Sequence, residues 1–379
     1  MADVLIVGDT ERSAELRHEV PLAIDDPFVY AEVDGHRVAV IWSVEGDRIA
    51  KVDPSIEIVR ADDFPIRELL DEIDGDPYRA WPVNVVRQVR SLGVRRALVP
   101  STFPTLIADA LRADGVELVV DPAHFADRRR TKTEAELAGV RAAQRAVDAA
   151  LGRIAALLRR SEPGDEGRVV DGEPLTCELL KTAAVTVFGE HGCRGDDLIV
   201  ARGPQSADGH DPGSGRIAND DVVLCDMFPQ HVESACFADT TRTFTVGEAD
   251  REIVAWHADC LAALELTLAT IRPGVGGDDL NAATCRFFEE RGHATRLSSP
   301  DGEALRDGFF HALGHGVGLR VHEAPALGLV GHPLVAGDVV AVEPGLYRHG
   351  FGGVRLEDLV LVTDDGCEVL TDFPYGLDP

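Results

Sequence analysis

Over the first 125 residues, short apolar segments alternate with polar turns, and this pattern predicts a small α/β unit. Strands are predicted at VLIVG, PFVYAEVDG, HRVAVIWSV, RRALVPS and VELVVDP, with a helix at LIADALRADG between the last two. The Asp34-Gly35 pair predicts a two-residue hairpin turn. The order strand, helix, strand near the end of this region favours a partly parallel sheet. We find no catalytic motif here, and we interpret the unit as structural or interface-forming.

After the basic run from Arg128 to Lys132, the pattern changes to longer periods. Apolar residues at a spacing of three to four predict helices over 133–160, 175–190, 250–271 and 278–291. Apolar and alternating segments predict strands over 197–203, 221–228, 236–246, 338–345 and 354–362, the second and third of which form a hairpin. This order permits a pseudo-duplicated architecture. The sequence therefore predicts two domains, 1–128 and 129–379.

The composition is that of a soluble globular protein. A chain of 379 residues allows two domains of ordinary size. Hydrophobic residues make up 45% of it, and no apolar run approaches the ~18 residues of a membrane span. The N-terminal MADVLIVGDTERS lacks a basic region before its apolar run, so we expect no signal peptide and a cytoplasmic location. The seven cysteines form no CxxC pair and are expected to be free and mostly buried.

The charge is strongly acidic. A net charge of −29 and a pI of about 4.7 argue against binding to nucleic acids or to anionic membranes. Only Lys51, Lys132 and Lys181 are lysines, so 34 of the 37 basic residues are arginine. Because salt screens the repulsion within an acidic surface, we hypothesise a halophilic source. A GC-rich genome would also explain the arginines, although it would not explain the acidity.

Four carboxylates lie inside segments that are otherwise typical of buried strands. Asp226 follows VVLC, Asp239 lies in CFADTTRTF, Glu343 follows VVAV, and Glu357 lies in VRLEDLVLV. An isolated buried carboxylate costs on the order of several kcal/mol unless it is paired. Each of the four alone is compatible with an ion pair to a nearby arginine. Four of them together indicate a shared cation.

The segment from His311 to Pro325 adds three histidines, among three glycines. The glycines leave open backbone beside His315, which we interpret as a metal ligand; a buried core histidine is the alternative for any single imidazole. Strand alternation in VRLEDLVLV places Arg355 and Glu357 on one face, and Asp358, the rival ligand, on the other. Such a set suits two divalent cations, with Mn²⁺ as the first choice and Co²⁺, Fe²⁺ or Zn²⁺ as alternatives. Because cation pairs of this kind activate water, the predicted chemistry is hydrolysis.

These residues resemble the pita-bread metallopeptidases, the family of aminopeptidase P and Xaa-Pro dipeptidase (prolidase). The matching motifs occur in the family's order and comprise Asp226, Asp239 with TTRTF, the segment 311–323, EPGLY at 343–347 and GVRLED at 353–358. The helix after residue 132 and the turn at 272–275 extend the resemblance to 129–379. The resemblance implies an α+β chain in which a pseudo-duplicated pita-bread domain follows a smaller, creatinase-like α/β domain that matches only loosely.

The resemblance also implies a role for each metal-site residue. Asp239 and Glu357 would bridge two metal ions, and Asp226 would bind one of them. His315 and Glu343 would complete the site of the other ion. Glu343 would in addition act as general base and accept the proton of the metal-bound water.

Other residues match positions on the substrate side. His210, His311 and His322 match histidines that hold the scissile carbonyl, the developing oxyanion or the leaving nitrogen. Arg355 and Tyr347 match positions beside the substrate pocket. For His210, the alternative is a solvated loop histidine. Because relatives are usually homodimers, we expect a homodimer, formed through the N-terminal domain.

Three features depart from the family pattern. Asp226 and Asp239 are 13 residues apart, two more than the commonest family spacing, which predicts a lengthened or bulged hairpin around 230–234. Met-Phe-Pro follows Asp226 in place of Leu-Gly. Ala326 occupies a position where prolidases often carry an arginine that binds the free carboxylate of a dipeptide. The candidates to replace that arginine are Arg320 and Arg348.

We therefore expect a dimetal exopeptidase whose substrate is a peptide with proline in second position. One alternative is a hydrolase of a small amide or amidine, such as creatine or an ectoine derivative. The other is a non-catalytic binding module. The complete ligand set argues against both. Substrate length, the residue preferred before proline and the identity of the metal stay open at this level.

Overall fold

The protein divides into two compact units, Met1–Arg129 and Arg130–Pro379. The structure is a computed structural model that describes residues 3–300 and 304–379. Met1 and Ala2, which begin the segment used to exclude a signal peptide, lie outside the described residues. Within the described ranges, no helix combines the length and the apolar character that crossing a membrane would need.

The first unit is built on a six-stranded sheet in the order β4-β3-β2-β1-β5-β6. Its strands are β1 (Asp3–Gly8), β2 (Phe28–Val33), β3 (His36–Ile41), β4 (Glu57–Arg60), β5 (Arg96–Val99) and β6 (Glu117–Val120). Its helices are α1 (Ala14–Glu19), α2 (Ser43–Val52), α3 (Ile66–Glu72), α4 (Pro77–Ser91), α5 (Thr105–Ala113) and α6 (Pro122–Arg130), with a short 3₁₀ helix at Ala61–Asp63.

Both sequence predictions for this sheet are confirmed. Strands β1, β2 and β3 pair antiparallel, whereas β3 with β4, β1 with β5, and β5 with β6 pair parallel. Asp34 and Gly35 form the turn between β2 and β3 with φ angles of 49° and 80°. Positive φ at both central residues is what this hairpin turn requires.

Four helices frame the second unit, and all four were predicted. They are α7 (Glu134–Arg160), α8 (Cys177–Glu190), α9 (Arg251–Leu268) and α10 (Gly277–Glu289). Helix α7 begins with a capping box, in which Thr133 Oγ1 accepts from the backbone N–H of Glu136 and the Glu136 carboxylate accepts from the N–H of Thr133. Helices α7 and α8 pack against a sheet, as do α9 and α10, so each half of the unit pairs two helices with strands.

Short strands complete the second unit. They are β7 (Val169–Val170), β8 (Glu173–Pro174), β9 (Cys193–Arg194), β10 (Ile199–Arg202), β11 (Asp221–Met227), β12 (Gln230–His231), β13 (Thr240–Val246), β14 (Asp307–Gly308), β15 (Gly314–Gly316), β16 (Glu323–Leu327), β17 (Val339–Val342), β18 (Gly345–Arg348), β19 (Gly352–Arg355), β20 (Asp358–Val362) and β21 (Cys367–Val369), with a 3₁₀ helix at Gly203–Ala207. The main sheets have the orders β10-β11-β13, β14-β18-β19 and β16-β15-β17-β20-β21.

The hairpin of β11 and β13 has the predicted extra length. Strand β12 lies in the connection and pairs with β9, which removes this segment from the hairpin itself. Ala235, which follows the turn after β12, has a positive φ of 60°. The two additional residues therefore form a side loop and leave the pairing of β11 with β13 intact.

The prediction of one strand over 354–362 is wrong. Strand β19 ends at Arg355 and pairs with β18, whereas β20 begins at Asp358 and pairs with β17 and β21 in a different sheet. Leu356 and Glu357 form the break between the two. The apolar pattern continues through the break because both strands and the Leu356 side chain are buried, so hydrophobicity alone gives no sign of it.

Candidate metal and substrate site

Strands β17 and β20 bring two of the carboxylates together. They pair antiparallel with Val342 opposite Asp358, at the end of β17 and the start of β20. Glu343 is the next residue after β17, and Glu357 is the last residue before β20. The two glutamates therefore extend from neighbouring strand ends at the same edge of the sheet.

Strands β11 and β13 bring the two aspartates to the same place. Asp226 pairs directly with Thr241, and Asp239 lies two residues before Thr241. Because side chains two residues apart share one face of an extended chain, Asp226, Thr241 and Asp239 face the same side. The backbone N–H of Glu357 donates to the Thr241 carbonyl at 3.1 Å, which joins this face to the glutamate pair.

His315 completes the cluster from strand β15. Its Nε2 lies 3.6 Å from Asp239 Oδ2 and 3.7 Å from Glu343 Oε1. One ligand atom each from Asp239, His315 and Glu357 lie within 4.8 Å of one another. His315 Nδ1 is 3.1 Å from the Gly316 carbonyl. This carbonyl accepts a hydrogen bond from Nδ1–H, which leaves the lone pair of Nε2 facing the carboxylates.

Arg355 is the cation among these acids. Its Nη2 donates to Asp226 Oδ2 at 2.5 Å, and its Nε donates to Thr241 Oγ1 at 2.9 Å. Thr241 Oγ1 in turn donates to Glu357 Oε2 at 2.6 Å. Asp226 and Glu357 are thus fixed by one connected set of buried hydrogen bonds, and the chain of donors specifies their orientation.

The carboxylates are electrostatically crowded. Burial raises the pKa of Asp239 well above its ordinary value, and repulsion from Glu357, Asp226 and Glu343 raises it further. Burial raises the pKa of Glu357 well above its ordinary value, and Glu343 and Asp226 raise it further. Burial also raises the pKa of Glu343 to about 7, with Asp226 adding to the increase. Arg355 opposes all three shifts but supplies only one positive charge.

These features fit divalent cations. Asp226 Oδ1 is buried and has no hydrogen-bond partner among the described residues. The lone pair of His315 Nε2 faces carboxylate oxygens, which offer it no proton in their ionised form. Four carboxylates against one arginine leave excess negative charge in a buried place, and cation binding would remove that cost. The site therefore has the donor set and the unmet charge of a metal centre.

The three histidines predicted on the substrate side, His210, His311 and His322, differ in how close they lie to the cluster. The His322 ring lies edge-on to the His315 ring, with 4.2 Å between centroids. His311 Nδ1 lies 3.9 Å from Glu343 Oε2. His210 is exposed on the loop after the 3₁₀ helix, and its electrostatic effect reaches His311.

His311 has both nitrogens engaged within the protein. Nδ1–H donates a hydrogen bond to the Ala312 carbonyl at 2.7 Å. Nε2 is then an acceptor, and the Tyr347 hydroxyl, at 2.8 Å, donates to it. Burial, aided by Arg355, lowers the pKa of His311 to about 3, so the ring is neutral at ordinary pH. A substrate must therefore compete for a hydrogen bond that the ring already makes.

The rival ligand Asp358 lies outside the cluster. It is fully buried, its Oδ1 accepts from Arg242 at 2.9 Å, and its Oδ2 accepts from Tyr375 at 2.6 Å. The strand alternation that favoured Glu357 over Asp358 assumed one continuous strand, whereas the chain is broken at Leu356 and Glu357.

Arg348 already forms ion pairs with two carboxylates, which argues against the prediction that it replaces an arginine at position 326. It donates to Glu252 at 2.7 Å and to Asp307 at 2.6 Å. Ala326 itself is exposed and pairs directly with His315 across β15 and β16. The position where the family resemblance led us to look for an arginine therefore lies beside His315, and it offers only a methyl group.

No role was predicted for Thr241, whose hydroxyl connects Arg355 with Glu357 by hydrogen bonds. A signal was present, because Asp239, Thr241 and Thr243 alternate along one strand and must share a face. Thr243 Oγ1 donates to the Arg355 carbonyl at 2.9 Å. Thr241 and Thr243 therefore hold Arg355 in position by hydrogen bonds, and Thr241 also holds Glu357.

Metal-stripped protein is expected to lose stability relative to the Glu343→Gln variant as the pH rises from 5 to 8. Folding raises the pKa of Glu343 from 4.5 to about 7, so in this range the unfolded chain releases the proton before the folded protein does. Ionisation then favours unfolding by on the order of 2 kcal/mol. Urea unfolding of both proteins with chelator at the two pH values measures the effect, and equal pH dependence would contradict it.

Known proteins match this chain over the region that contains the cluster. The residue pattern of metallopeptidase family M24 matches residues 138–364. Among curated proteins, the chain is similar to "Probable dipeptidase PepE" of Mycobacterium tuberculosis, with 29% identity over 339 residues that cover 86% of this chain and 82% of the relative.

Solved structures share the architecture over nearly the whole chain. The X-Pro aminopeptidase from Thermotoga maritima aligns with a TM-score of 0.76 at 22% identity, covering 99% of this chain and 97% of that one. The Xaa-Pro dipeptidase from Bacillus anthracis aligns with a TM-score of 0.77 at 23% identity, covering 99% and 94%. At these identities the likeness shows the fold alone, and the predicted α+β pita-bread architecture is confirmed.

Proposed function

Because this chain belongs to metallopeptidase family M24, we propose that it is a dinuclear-metal exopeptidase that hydrolyses Xaa-Pro bonds at peptide N-termini. The observation that carries the proposal is the meeting of Asp239, His315 and Glu357 ligand atoms within 4.8 Å, with Glu343 beside His315. The named relatives, a dipeptidase, an X-Pro aminopeptidase and an Xaa-Pro dipeptidase, support this substrate class.

The five proposed metal ligands are Asp226, Asp239, His315, Glu343 and Glu357. Mn²⁺ is the first choice, with Co²⁺, Fe²⁺ or Zn²⁺ as alternatives, since oxygen ligands with one imidazole suit cations of intermediate hardness. When bound, the two ions would lower the pKa of a water molecule and polarise the peptide carbonyl. Arg355 and Thr241 hold Asp226 and Glu357 in place for this task through the hydrogen bonds described above.

Residues of the chain itself handle the proton and the substrate. Glu343 takes the proton of the attacking water, since its carboxylate lies beside His315 in the proposed metal site, with 3.7 Å between Oε1 and Nε2. His322 lies beside His315 and is placed to donate to the substrate carbonyl. His311 keeps its ring orientation through Tyr347, and its Nδ1–H would exchange the hydrogen bond to the Ala312 carbonyl for one to the oxyanion or the leaving nitrogen. His210, on the exposed loop, contacts substrate from the solvent side.

A cavity of about 750 Å³ lies in the same unit, and charged residues such as Arg194, Asp196 and Asp197 form part of its lining. Phe228, Phe237 and Val321 form its apolar wall. Phe228 and Phe237 lie two residues from Asp226 and Asp239 in the sequence, respectively, and this short separation is the reason to propose the cavity as a substrate pocket. An apolar side chain of the peptide fits this wall, and the Met-Phe-Pro sequence after Asp226 supplies part of it.

The test of the proposed function is chelator-sensitive release of the N-terminal residue from Xaa-Pro-Yaa peptides and from Xaa-Pro dipeptides, measured in high salt after loading with Mn²⁺. Matched Xaa-Ala-Yaa peptides control for general aminopeptidase activity. Cleavage of neither proline series by the metal-loaded protein would overturn the proposal. The small-amide hydrolase is not favoured, because the relatives named above are peptidases.

Replacing Ala326 by Arg is expected to raise kcat/KM for Xaa-Pro dipeptides by about 10-fold, the scale of one charge-assisted contact. The new guanidinium would lie opposite His315 and could bind the free carboxylate of the substrate. Xaa-Pro amides, which lack that carboxylate, should gain nothing, and Ala326→Gln serves as a control for size. A gain on both substrates would contradict the explanation.

The environment and assembly of the protein are further proposals. The acidic, lysine-poor composition supports a cytoplasm of high salt concentration, and the homodimer proposal rests on the family resemblance. Activity and melting temperature are expected to rise between low and molar KCl as repulsion is screened. Light scattering in the same buffers measures the mass. Full activity without salt, or a monomer at all salt concentrations, would refute the respective proposal.

A further inference from the structure

Lys132 forms a buried ion pair that the proposed mechanism does not use. Its Nζ lies 2.6 Å from Glu323 Oε1, and each side chain is only 3% exposed. Glu323 Oε2 is buried and accepts no hydrogen bond from the described residues. The Lys132 ammonium thus donates to one of the two buried oxygens of this carboxylate. Lys132 is also one of only three lysines, in a chain that uses arginine elsewhere.

The pair is seated against the strands of the site. Glu323 begins β16, pairs with Gly316 of β15, and directly follows His322. A Cβ atom on Gly318 would lie 2.3 Å from Glu323 Oε1 and 2.8 Å from Lys132 Cε. The missing side chain of Gly318 is therefore what allows the carboxylate and the ammonium to fit there.

The segment that the pair anchors carries two groups of the site. The Gly316 carbonyl orients His315 by accepting a hydrogen bond from Nδ1 at 3.1 Å. A backbone hydrogen bond to Val321 also holds this ring. His322 follows Val321 and places its ring 4.2 Å from that of His315. A shift at Glu323 would therefore move both the carbonyl that orients His315 and the His322 side chain.

A further contact joins the segment to the other half of the site. The backbone N–H of Phe237 donates to the Gly318 carbonyl at 2.8 Å. Phe237 lies two residues before Asp239. The anchored segment is thus connected to the strand that carries one of the proposed bridging ligands, as well as to His315.

We propose that Lys132 and Glu323 are positioning residues, which hold segment 316–323 so that His315 presents Nε2 to the metal and His322 faces the substrate. The inference rests on the proposed peptidase function for its substrate part, whereas its metal part stands independently. Loss of residues that orient metal ligands without binding the metal themselves typically changes metal affinity or activity by about 10-fold to 100-fold.

The experiment compares Lys132→Met and Glu323→Gln with a matched control, Arg130→Met. Arg130 lies two residues from Lys132 and makes another buried ion pair, 2.6 Å from Asp338, with side chains 10% and 0% exposed. Asp338 precedes β17 at the end opposite Glu343, so the control removes a comparable pair away from the site. Co²⁺ alone is titrated into each metal-free protein and followed by its visible absorption, and kcat and KM are measured separately on Xaa-Pro-Yaa peptides.

The expected result is that Lys132→Met and Glu323→Gln weaken Co²⁺ binding by about 10-fold or more, alter the Co²⁺ spectrum and lower kcat. Arg130→Met should lose thermal stability but keep the wild-type Co²⁺ affinity, spectrum and kcat. Wild-type Co²⁺ binding and kcat in both site variants, with only stability reduced, would overturn the inference.

Two further outcomes are separated by the same design. If either single variant fails to fold by circular dichroism, the double variant Lys132→Gln/Glu323→Gln removes both charges together. It is expected to fold and to bind Co²⁺ at least 5-fold more weakly than the wild type, and wild-type affinity there would overturn the inference. If the wild type binds Co²⁺ but cleaves no peptide, the proposed function fails, while the Co²⁺ titrations still decide the positioning role.

Discussion

Glu357→Gln is expected to lower kcat by roughly 10³-fold and to weaken metal loading, because the change removes one negative charge from the proposed bridging ligand. Glutamine keeps the size of the side chain. Its amide oxygen can still accept the hydrogen bond that Thr241 Oγ1 donates to Glu357 Oε2 at 2.6 Å in the wild type. The fold should therefore persist while the metal centre loses charge. Metal content after dialysis, together with kcat on Xaa-Pro-Yaa peptides, measures the effect.

Asp358→Asn is the matched control for this prediction. The two residues are adjacent and both are buried, but Asp358 faces Arg242 and Tyr375 instead of the cluster. The control should lose stability and retain its metal content and its kcat in the folded fraction. If Asp358→Asn removed the metal and Glu357→Gln did not, the proposed ligand set would be wrong.

Arg242→Met is expected to reduce the free energy of unfolding by about 3–5 kcal/mol, since breaking a buried ion pair leaves an uncompensated charge. Arg242 and Asp358 are 1% and 0% exposed, and their closest side-chain atoms are 2.9 Å apart. The guanidinium also donates to the carbonyls of Thr241 and Glu357, at 3.0 and 2.7 Å. Its loss would remove these hydrogen bonds and leave the Asp358 carboxylate with the Tyr375 hydroxyl as a neutral donor and no compensating charge in the pair.

Urea unfolding of the metal-free protein measures this loss without a contribution from metal binding. Arg160→Met is the control, because Arg160 and Asp171 form an exposed pair with side chains 56% and 71% exposed. Exposed pairs contribute about 0–1 kcal/mol, so the control should unfold close to the wild type. A loss of similar size in both variants would contradict the importance assigned to burial.

Local patterns predicted the elements well where one physical signal dominates. The helix after Lys132 has both a continuous apolar stripe and a capping box, and it forms as predicted. The Asp34-Gly35 turn forms because both residues tolerate positive φ. In each case the residues that decide the structure are neighbours in the sequence, so the sequence contains the complete signal.

The strand predicted over 354–362 failed for the converse reason. Buried strands in two different sheets look alike when they follow each other, because both are apolar and neither has a turn residue at the break. What ends β19 and starts β20 is the pairing of each with a separate strand, β18 and β17, respectively. Such pairings involve distant partners, which periodicity does not contain.

The sequence by itself determined the kind of chemistry, because four carboxylates and a glycine-flanked histidine in buried segments need a cation wherever they meet. Only the tertiary structure decided which groups meet, since strands β11, β13, β15, β17 and β20 come from distant parts of the chain. It placed Thr241 between Arg355 and Glu357, and Lys132 against Glu323, 191 residues further on. Hydrogen bonds depend on distances of a few tenths of an ångström, and those distances are set by packing.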